Sequence, residues 1–336
     1  MPKAISYIEH PSDVIAHAAH LTAQGRAFAL ITSVGIEGGA ARDEGSLALV
    51  GETGAMVGYL SNGCIDKDIQ FQAIEALRTS EKKLVRYGKG SQFADLSLPC
   101  GGALDILIDP TPDIAALSAA HRDLENRRPT ILRSTLPVVG APTLSFRYAP
   151  QFRLVLAGRG AVFRAMAELG VASGFQVRLM SPDEEDLDDL ATITGAGGVH
   201  LKSTQAAVRT DWLDPYAAFL TLFHDHDWEP ALLQAALTSS ACFIGSLGSR
   251  RTHEARIERL IAMGVTAADA HRVQGPIGLV PSLREAPLIA VSALAQIVAH
   301  RPVAIERCLP CNDDASFGSS PDRAPQVVAR ADSVDA

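Results

Sequence analysis

Six short stretches of this chain combine residue types that could do chemistry. Ser61-Asn62-Gly63-Cys64-Ile65-Asp66 places a thiol where a helical pattern begins. The positive end of a helix favours thiolate, and a thiolate can ligate a soft metal or take part in sulfur transfer. A small buried thiol is the plainer reading of the same residues. Leu98-Pro99-Cys100-Gly101-Gly102 carries a second thiol, followed by two glycines that let a ligand or another backbone come close. Gly158-Arg159-Gly160-Ala161 follows an apolar run and opens a helical pattern, which gathers backbone N–H groups at one point and suits a phosphate. Phe163 stands where a dinucleotide fingerprint has its third glycine, and Ser181 where it has an acidic strand end. His224-Asp225-His226-Asp227 could bind a metal or hydrogen-bond a cofactor, although it lacks the separated ligand pairs of a zinc site. Helix capping by Asp225 or Asp227 is the simpler reading there. Gly245-Ser246-Leu247-Gly248-Ser249-Arg250-Arg251 could seat a phosphate or carboxylate, or Ser249 could be an ordinary N-cap. Cys308-Leu309-Pro310-Cys311 is half of a zinc site or a redox pair, with no partner cysteines nearby.

The elements that must position these stretches fall into two blocks. Residues 1–112 read as a mixed α+β unit, with strands over 27–34, 47–50, 55–59, 83–87 and 104–109 and a helix over 66–78. Residues 113–150 are punctuated by prolines and read as a connector holding a small two-stranded element. From 151 to 301 strands and helices alternate, which implies a doubly wound parallel sheet with strands over 153–157, 176–180, 217–223 and 242–247. Residues 302–336 read as a polar tail, with disorder expected from 313 onward.

Bulk properties narrow the function classes. The 336 residues carry a net charge of −8, which argues against a nucleic-acid partner. No apolar run reaches the roughly 18 residues of a membrane span. The first residues lack the basic start and apolar middle of a secretory leader, so a cytoplasmic location is expected. Five cysteines, an odd and sparse set, read as free thiols.

In order and spacing these stretches resemble the xanthine dehydrogenase accessory protein family (XdhC/CoxI). The carriers are Gly38-Gly39-Ala40-Ala41-Arg42-Asp43-Glu44-Gly45, the Gly58–Cys64 run and Cys100-Gly101-Gly102. In the second half they are Gly158-Arg159-Gly160, the His224–Asp227 run, Phe243 through Arg250, Pro276-Ile277-Gly278-Leu279, and the helix from Pro287. The sequence departs from the family pattern at Ala41, Asn62, Asp66 and Ser181. The resemblance implies an N-terminal XdhC-type α+β domain followed by a Rossmann-like domain. It also implies an accessory protein without its own turnover. Such a protein binds molybdenum cofactor, as molybdopterin or its cytosine dinucleotide form. It shields the cofactor while a cysteine desulfurase helps install a terminal sulfido ligand, and delivers it to an apo molybdenum hydroxylase. Members are often homodimers. On this reading Cys64 and Cys100 lie nearest molybdenum or sulfur, flanked by Gly101 and Gly102. Gly158, Gly160 and Ala161 seat a phosphate, His224, Asp225 and His226 face the pterin, and Gly245 and Ser249 complete the cofactor contacts. An NAD(P)-dependent oxidoreductase is disfavoured by the missing acidic strand end. A metal-dependent enzyme built on the His224–Asp227 run is the other competing class.

Overall fold

The computed structural model describes residues 5–91, 98 and 101–308. In the first block, residues of alternating parity along each strand point to opposite faces, so a single sheet can be covered on both sides. Its strands are β1 (Ile5–Ser6), β2 (Phe28–Glu37), β3 (Leu47–Gly51), β4 (Met56–Val57), β5 (Lys83–Gly88) and β6 (Ala103–Asp109). They lie in the order β1-β4-β3-β2-β6-β5, antiparallel except for the β1–β4 pair. Phe28, Leu47 and Leu49 face α1 (Pro11–Ala23), whose Val14, Ile15 and Leu21 are buried against them. Ala29, Ile31, Ala48 and Val50 face α2 (Asp66–Thr79), which contributes Ile69, Ala73 and Ala76. Each large side chain so buried is worth about 2 kcal/mol.

Within the stretch that the sequence reads as a connector, α3 (Ile114–Glu125) is capped by the Asp113 carboxylate, which accepts from Ala116 N–H at 2.9 Å. Its Leu117, Ala120 and Leu124 join the α1 core. The expected two-stranded element is there as β7 (Thr130–Ser134) paired antiparallel with β8 (Leu144–Tyr148).

The second block is the expected doubly wound unit. In chain order it contains β9 (Arg153–Gly158), α4 (Gly160–Ala172), β10 (Gln176–Ser181), α5 (Glu184–Thr194), β11 (Val199–His200), β12 (Ala217–Leu222) and α6 (Glu229–Leu237). There follow β13 (Phe243–Ser246), α7 (Arg250–Ala262), α8 (Ala267–Ala270), β14 (Val273–Gln274) and α9 (Ala286–His300). All pairings in the sheet β11-β10-β9-β12-β13-β14 are parallel. Leu154 and Leu156 face α4, α5 and α9, while Val155 and Ala157 face α6, α7 and α8. The strand order reverses between β9 and β12, the place where such sheets form a ligand crevice. Gly158 sits there because a Cβ would lie 2.7 Å from Leu222 Cβ and 2.8 Å from its carbonyl oxygen.

The sequence places residues 302–336 in a polar tail, but β15 (Ile305–Cys308) returns to the first block and pairs antiparallel with β8. Ile305 packs on the α1 core and Arg307 reaches Glu44 at 2.7 Å. Residues 309–336, including Cys311, lie outside the described residues. The two blocks are tied by Arg127, whose guanidinium donates to both Asp214 carboxylate oxygens at 2.7 and 3.0 Å and to Tyr216 O at 3.1 Å.

Candidate functional site

The Cys64 loop is built around one buried carboxylate. Asp66, the first residue of α2, is fully buried. One of its oxygens accepts from Leu60 N–H at 2.8 Å and Ser61 N–H at 3.1 Å. The other accepts from Ser61 Oγ at 2.9 Å and Gly63 N–H at 2.6 Å. Ser61 Oγ in turn accepts from Ile65 N–H at 2.9 Å. Negative charge at the start of α2 also complements the helix dipole. This clamp bends the backbone into the left-handed region at Asn62 (φ 54°) and Gly63 (φ 102°). Ile65, just beyond, is buried in the α2 core. Between these two anchors Cys64 is exposed with a free thiol.

Cys64 lines a cavity of about 380 Å³ whose other walls include Gly39, Ala41, Leu60 and Leu98. The glycine-rich 38–45 loop meets Gly102 beside it. A Cβ on Gly102 would lie 2.5 Å from Glu37 O and 2.7 Å from Gly39 O. Residues of the 38–45 and 58–64 stretches are therefore gathered in one place with Leu98 and Gly102, while the Gly158 turn is not among them. Cys100 lies outside the described residues, whereas Leu98 on one side borders the cavity and Gly101 N–H donates to Leu98 O at 2.9 Å.

Next to this cavity Arg42 lies with its guanidinium 4.7 Å from the Tyr59 ring centre. Arg42 and the Tyr59 hydroxyl both donate to the Glu9 carboxylate, and Arg42 also donates to Glu9 O at 2.5 Å. The hydrogen bond to Glu9 raises the Tyr59 phenol above its ordinary pKa. Tyr7 packs on Tyr59 with ring centres 5.3 Å apart.

The glycine turn of the second block is arranged differently. Gly160 N–H, at the start of α4, donates to the Asp186 carboxylate at 2.9 Å, and Arg164 pairs with the same carboxylate at 2.5 Å. Asp186, from α5, is 4% exposed. An internal anion thus holds an N–H that a bound phosphate would use. Ser181, at the strand end where a ribose-binding acid would stand, is wholly buried and accepts from Asp183 N–H at 3.0 Å.

His224 and Asp225 are exposed beyond the end of β12, and Asp225 accepts from Asp227 N–H at 3.2 Å. His226 lies 3.3 Å from Glu229. Among the described residues no cluster of three or more His, Cys, Asp or Glu side chains could hold a metal ion. Ser249 caps α7 by accepting from Thr252 N–H at 3.1 Å. Gly245 fits beneath Ile277, where a Cβ would come within 2.7 Å. Neither His226 nor Ser249 borders the Cys64 cavity; His226 lines a separate one of about 300 Å³ between α6 and α7.

Sequence reading missed the residues that organise these places. Asp66 was noted as a departure from a family pattern, not as a clamp. Asp186 hides in the acidic run that opens α5. Glu229 is 1% exposed and takes Arg256 Nε at 2.9 Å and Ser246 Oγ at 3.1 Å, with Thr221 Oγ1 at 3.4 Å, so a buried polar network closes the ends of β12 and β13. A charged residue next to proline at a helix start, Glu229-Pro230, gave no sign of that burial.

The comparisons with known proteins agree with this layout. Residues 154–297 match the XdhC Rossmann domain, and residues 21–88 match the XdhC and CoxI family. The molybdenum cofactor insertion chaperone PaoD of Escherichia coli (strain K12) is 30% identical over 290 residues, covering 82% of this chain and 84% of PaoD. The chain belongs to the XdhC and CoxI family. A second Escherichia coli relative, the uncharacterized protein YqeB, is 24% identical over 85% of this chain, which spans 46% of YqeB. A Bacillus halodurans protein described as a xanthine dehydrogenase superposes with a TM-score of 0.66 over 84% of this chain and 94% of its own, at 18% identity, and so shares the fold. Among the described residues of this family member no helix is long and apolar enough to cross a membrane.

Proposed function

We propose that this chain is a molybdenum cofactor carrier and insertion chaperone. In this role it takes the cofactor as cargo and shields it while a cysteine desulfurase helps install the terminal sulfido ligand. It then passes the cofactor to an apo molybdenum hydroxylase of the xanthine dehydrogenase type. The observation that carries the reading is Cys64, an exposed thiol held on a clamped loop at the edge of a cavity. The chain belongs to a family in which a relative 30% identical is named for inserting this cofactor. A soft thiol suits a molybdenum–sulfur centre, and a glycine-lined wall lets a flat ligand approach backbone. Cys100 serves beside Cys64, with Gly101 and Gly102 shaping the wall. The chain acts as an accessory protein in the cytoplasm, as a homodimer, with no turnover of its own.

Asp186 on the Gly160 N–H argues against the competing NAD(P)-dependent reading, since a pyrophosphate at Gly158, Gly160 and Ala161 would have to displace it. The test is transfer. Chain purified from cells that make the cofactor is mixed with apo hydroxylase, and hydroxylase activity is followed. Activation by the wild-type chain that is lost with Cys64→Ala supports the reading. Equal activation by both chains rejects the role of the thiol, and no activation by the wild type rejects the chaperone function.

A further inference from the structure

Between the two blocks lies a cavity of about 620 Å³, within the range of small-molecule sites. One wall is the start of α1 with the residues before it, including Tyr7, His10 and Asp13. The other is the base of the parallel sheet and the ends of α4 and α9, including Phe152, Phe175 and Arg301. We propose that this cavity is a second subsite for the same cargo, and that it takes a flat, nitrogen-rich heterocycle carrying a phosphate. The proposal rests on the carrier reading above and assigns the cargo's organic part to residues outside the Cys64 loop.

Four features converge on that chemistry. Phe152 and Phe175, tilted with ring centres 5.2 Å apart, give the cavity an aromatic wall against which a flat ring can pack. The half-buried Asp13 side chain has no hydrogen bond among the described residues, and burial raises its pKa. A carboxyl group so placed gains from neighbouring N–H donors, which the amino-pyrimidinone edge of a pterin presents side by side. Arg301, at the end of α9, likewise makes no hydrogen bond or ion pair among the described residues, and its planar fork matches a phosphate. The imidazole of His10 registers the positive surroundings. Burial, then the charges of Arg301, Arg127 and Arg42, lower its pKa to about 4.

The cavity is also adjacent to the thiol site. Tyr7 lines it, and the Tyr7 hydroxyl lies 4.0 Å from where a Cβ on Gly63 would be, one residue from Cys64. Glu9 lines it too and is held by Arg42, the residue after Ala41 in the wall of the Cys64 cavity. Arg42 Nε is buried with no hydrogen-bond partner, in the partition between the two spaces. Cargo bound with its metal and sulfur end near Cys64 would have its ring and phosphate received across this partition.

The experiment uses a fluorescent pterin monophosphate that lacks dithiolene and metal, titrated into the full chain. Saturable quenching by the wild type and by Cys64→Ala alike is expected. Asp13→Asn and Arg301→Ala each weaken it by at least about tenfold, the loss of one charge-assisted contact. Ala172→Trp, which fills the cavity from its exposed rim without removing a polar group, abolishes it. Circular dichroism melting confirms that each variant is folded, and the conservative Arg301→Lys recovers part of the affinity. Unchanged quenching in Asp13→Asn, Arg301→Ala and Ala172→Trp overturns the subsite. So does retention of native cofactor that falls in Cys64→Ala but in none of those three, and in that case the carrier reading stands. A wild-type chain that retains no cofactor overturns both.

Discussion

The two glycine-bearing helix starts of this chain use the same device to opposite ends. In each, a buried aspartate accepts from main-chain N–H at the turn, three such groups for Asp66 and the single Gly160 N–H for Asp186. Asp66 belongs to the helix that it starts, closes its own loop and leaves the Cys64 side chain standing out of it. Asp186 comes from the neighbouring α5 and occupies an N–H at the mouth of the α4 turn. The first loop is organised to present a group, the second to satisfy itself. A glycine-rich turn before a helix is therefore not evidence of an open phosphate seat until the partners of its N–H groups are known.

Removing each carboxylate should separate the two roles. Asp66→Ala leaves three backbone N–H groups and the Ser61 hydroxyl without their acceptor in a buried setting, so a loss of about 3 kcal/mol is expected in urea unfolding. Asp66→Asn, which keeps an acceptor oxygen, should lose less. A third helix start gives a pH-dependent contrast, since α1 is capped by a neutral imidazole. His10 Nδ1 accepts from Ser12 N–H at 3.2 Å. Its folded pKa of about 4 lies below its ordinary 6.5, so the unfolded chain binds the proton first. This contribution is whole above pH 6.5 and is lost as pH falls from there towards 4, on the order of 3 kcal/mol. The slope should vanish in His10→Asn, which retains a cap.

Asp186→Ala should cost roughly 1.5 kcal/mol, because Arg164 and the α4 mouth can turn to solvent. The same variant should bind pyrophosphate more tightly than the wild type in calorimetry. Equal, weak binding by both would show that the α4 turn is no anion seat even when opened. Cys64→Ala should have the smallest effect on stability, below about 0.5 kcal/mol, because the side chain is exposed.

Much of the architecture was legible because it is written in local periodicity. Strands β2, β3, β5, β6, β9, β10, β12 and β13 and the helices α2, α4, α6, α7 and α9 follow apolar patterns of period two or 3.6, whereas the two-residue strands β1, β11 and β14 are too short to show one. β15 escaped because Ile305–Cys308 alternates over too few residues to stand out from a polar tail, and its stability comes from β8 and the distant α1 core. α3 escaped because flanking prolines masked the Leu117, Ala120 and Leu124 spacing. At the site, Cys64 and the 38–45 and 98–102 segments carry visible glycine and thiol signals. Asp66, Asp186 and Glu229 do not, since a buried acid and a solvated one look alike until long-range packing decides which N–H or guanidinium it meets. The cavity between the blocks is wholly a product of tertiary structure, with walls more than 100 residues apart in sequence.

The most direct measurement is the cofactor content of chain purified from cells that make molybdenum cofactor. Released pterin is quantified by fluorescence after oxidation, and molybdenum by mass spectrometry. A carrier whose cargo sits at Cys64 should hold close to one pterin and one molybdenum per chain in the wild type and in Asp186→Ala, with both falling sharply in the equally stable Cys64→Ala. Undiminished content in Cys64→Ala would contradict the thiol site, and a wild-type chain free of pterin would contradict the carrier function itself.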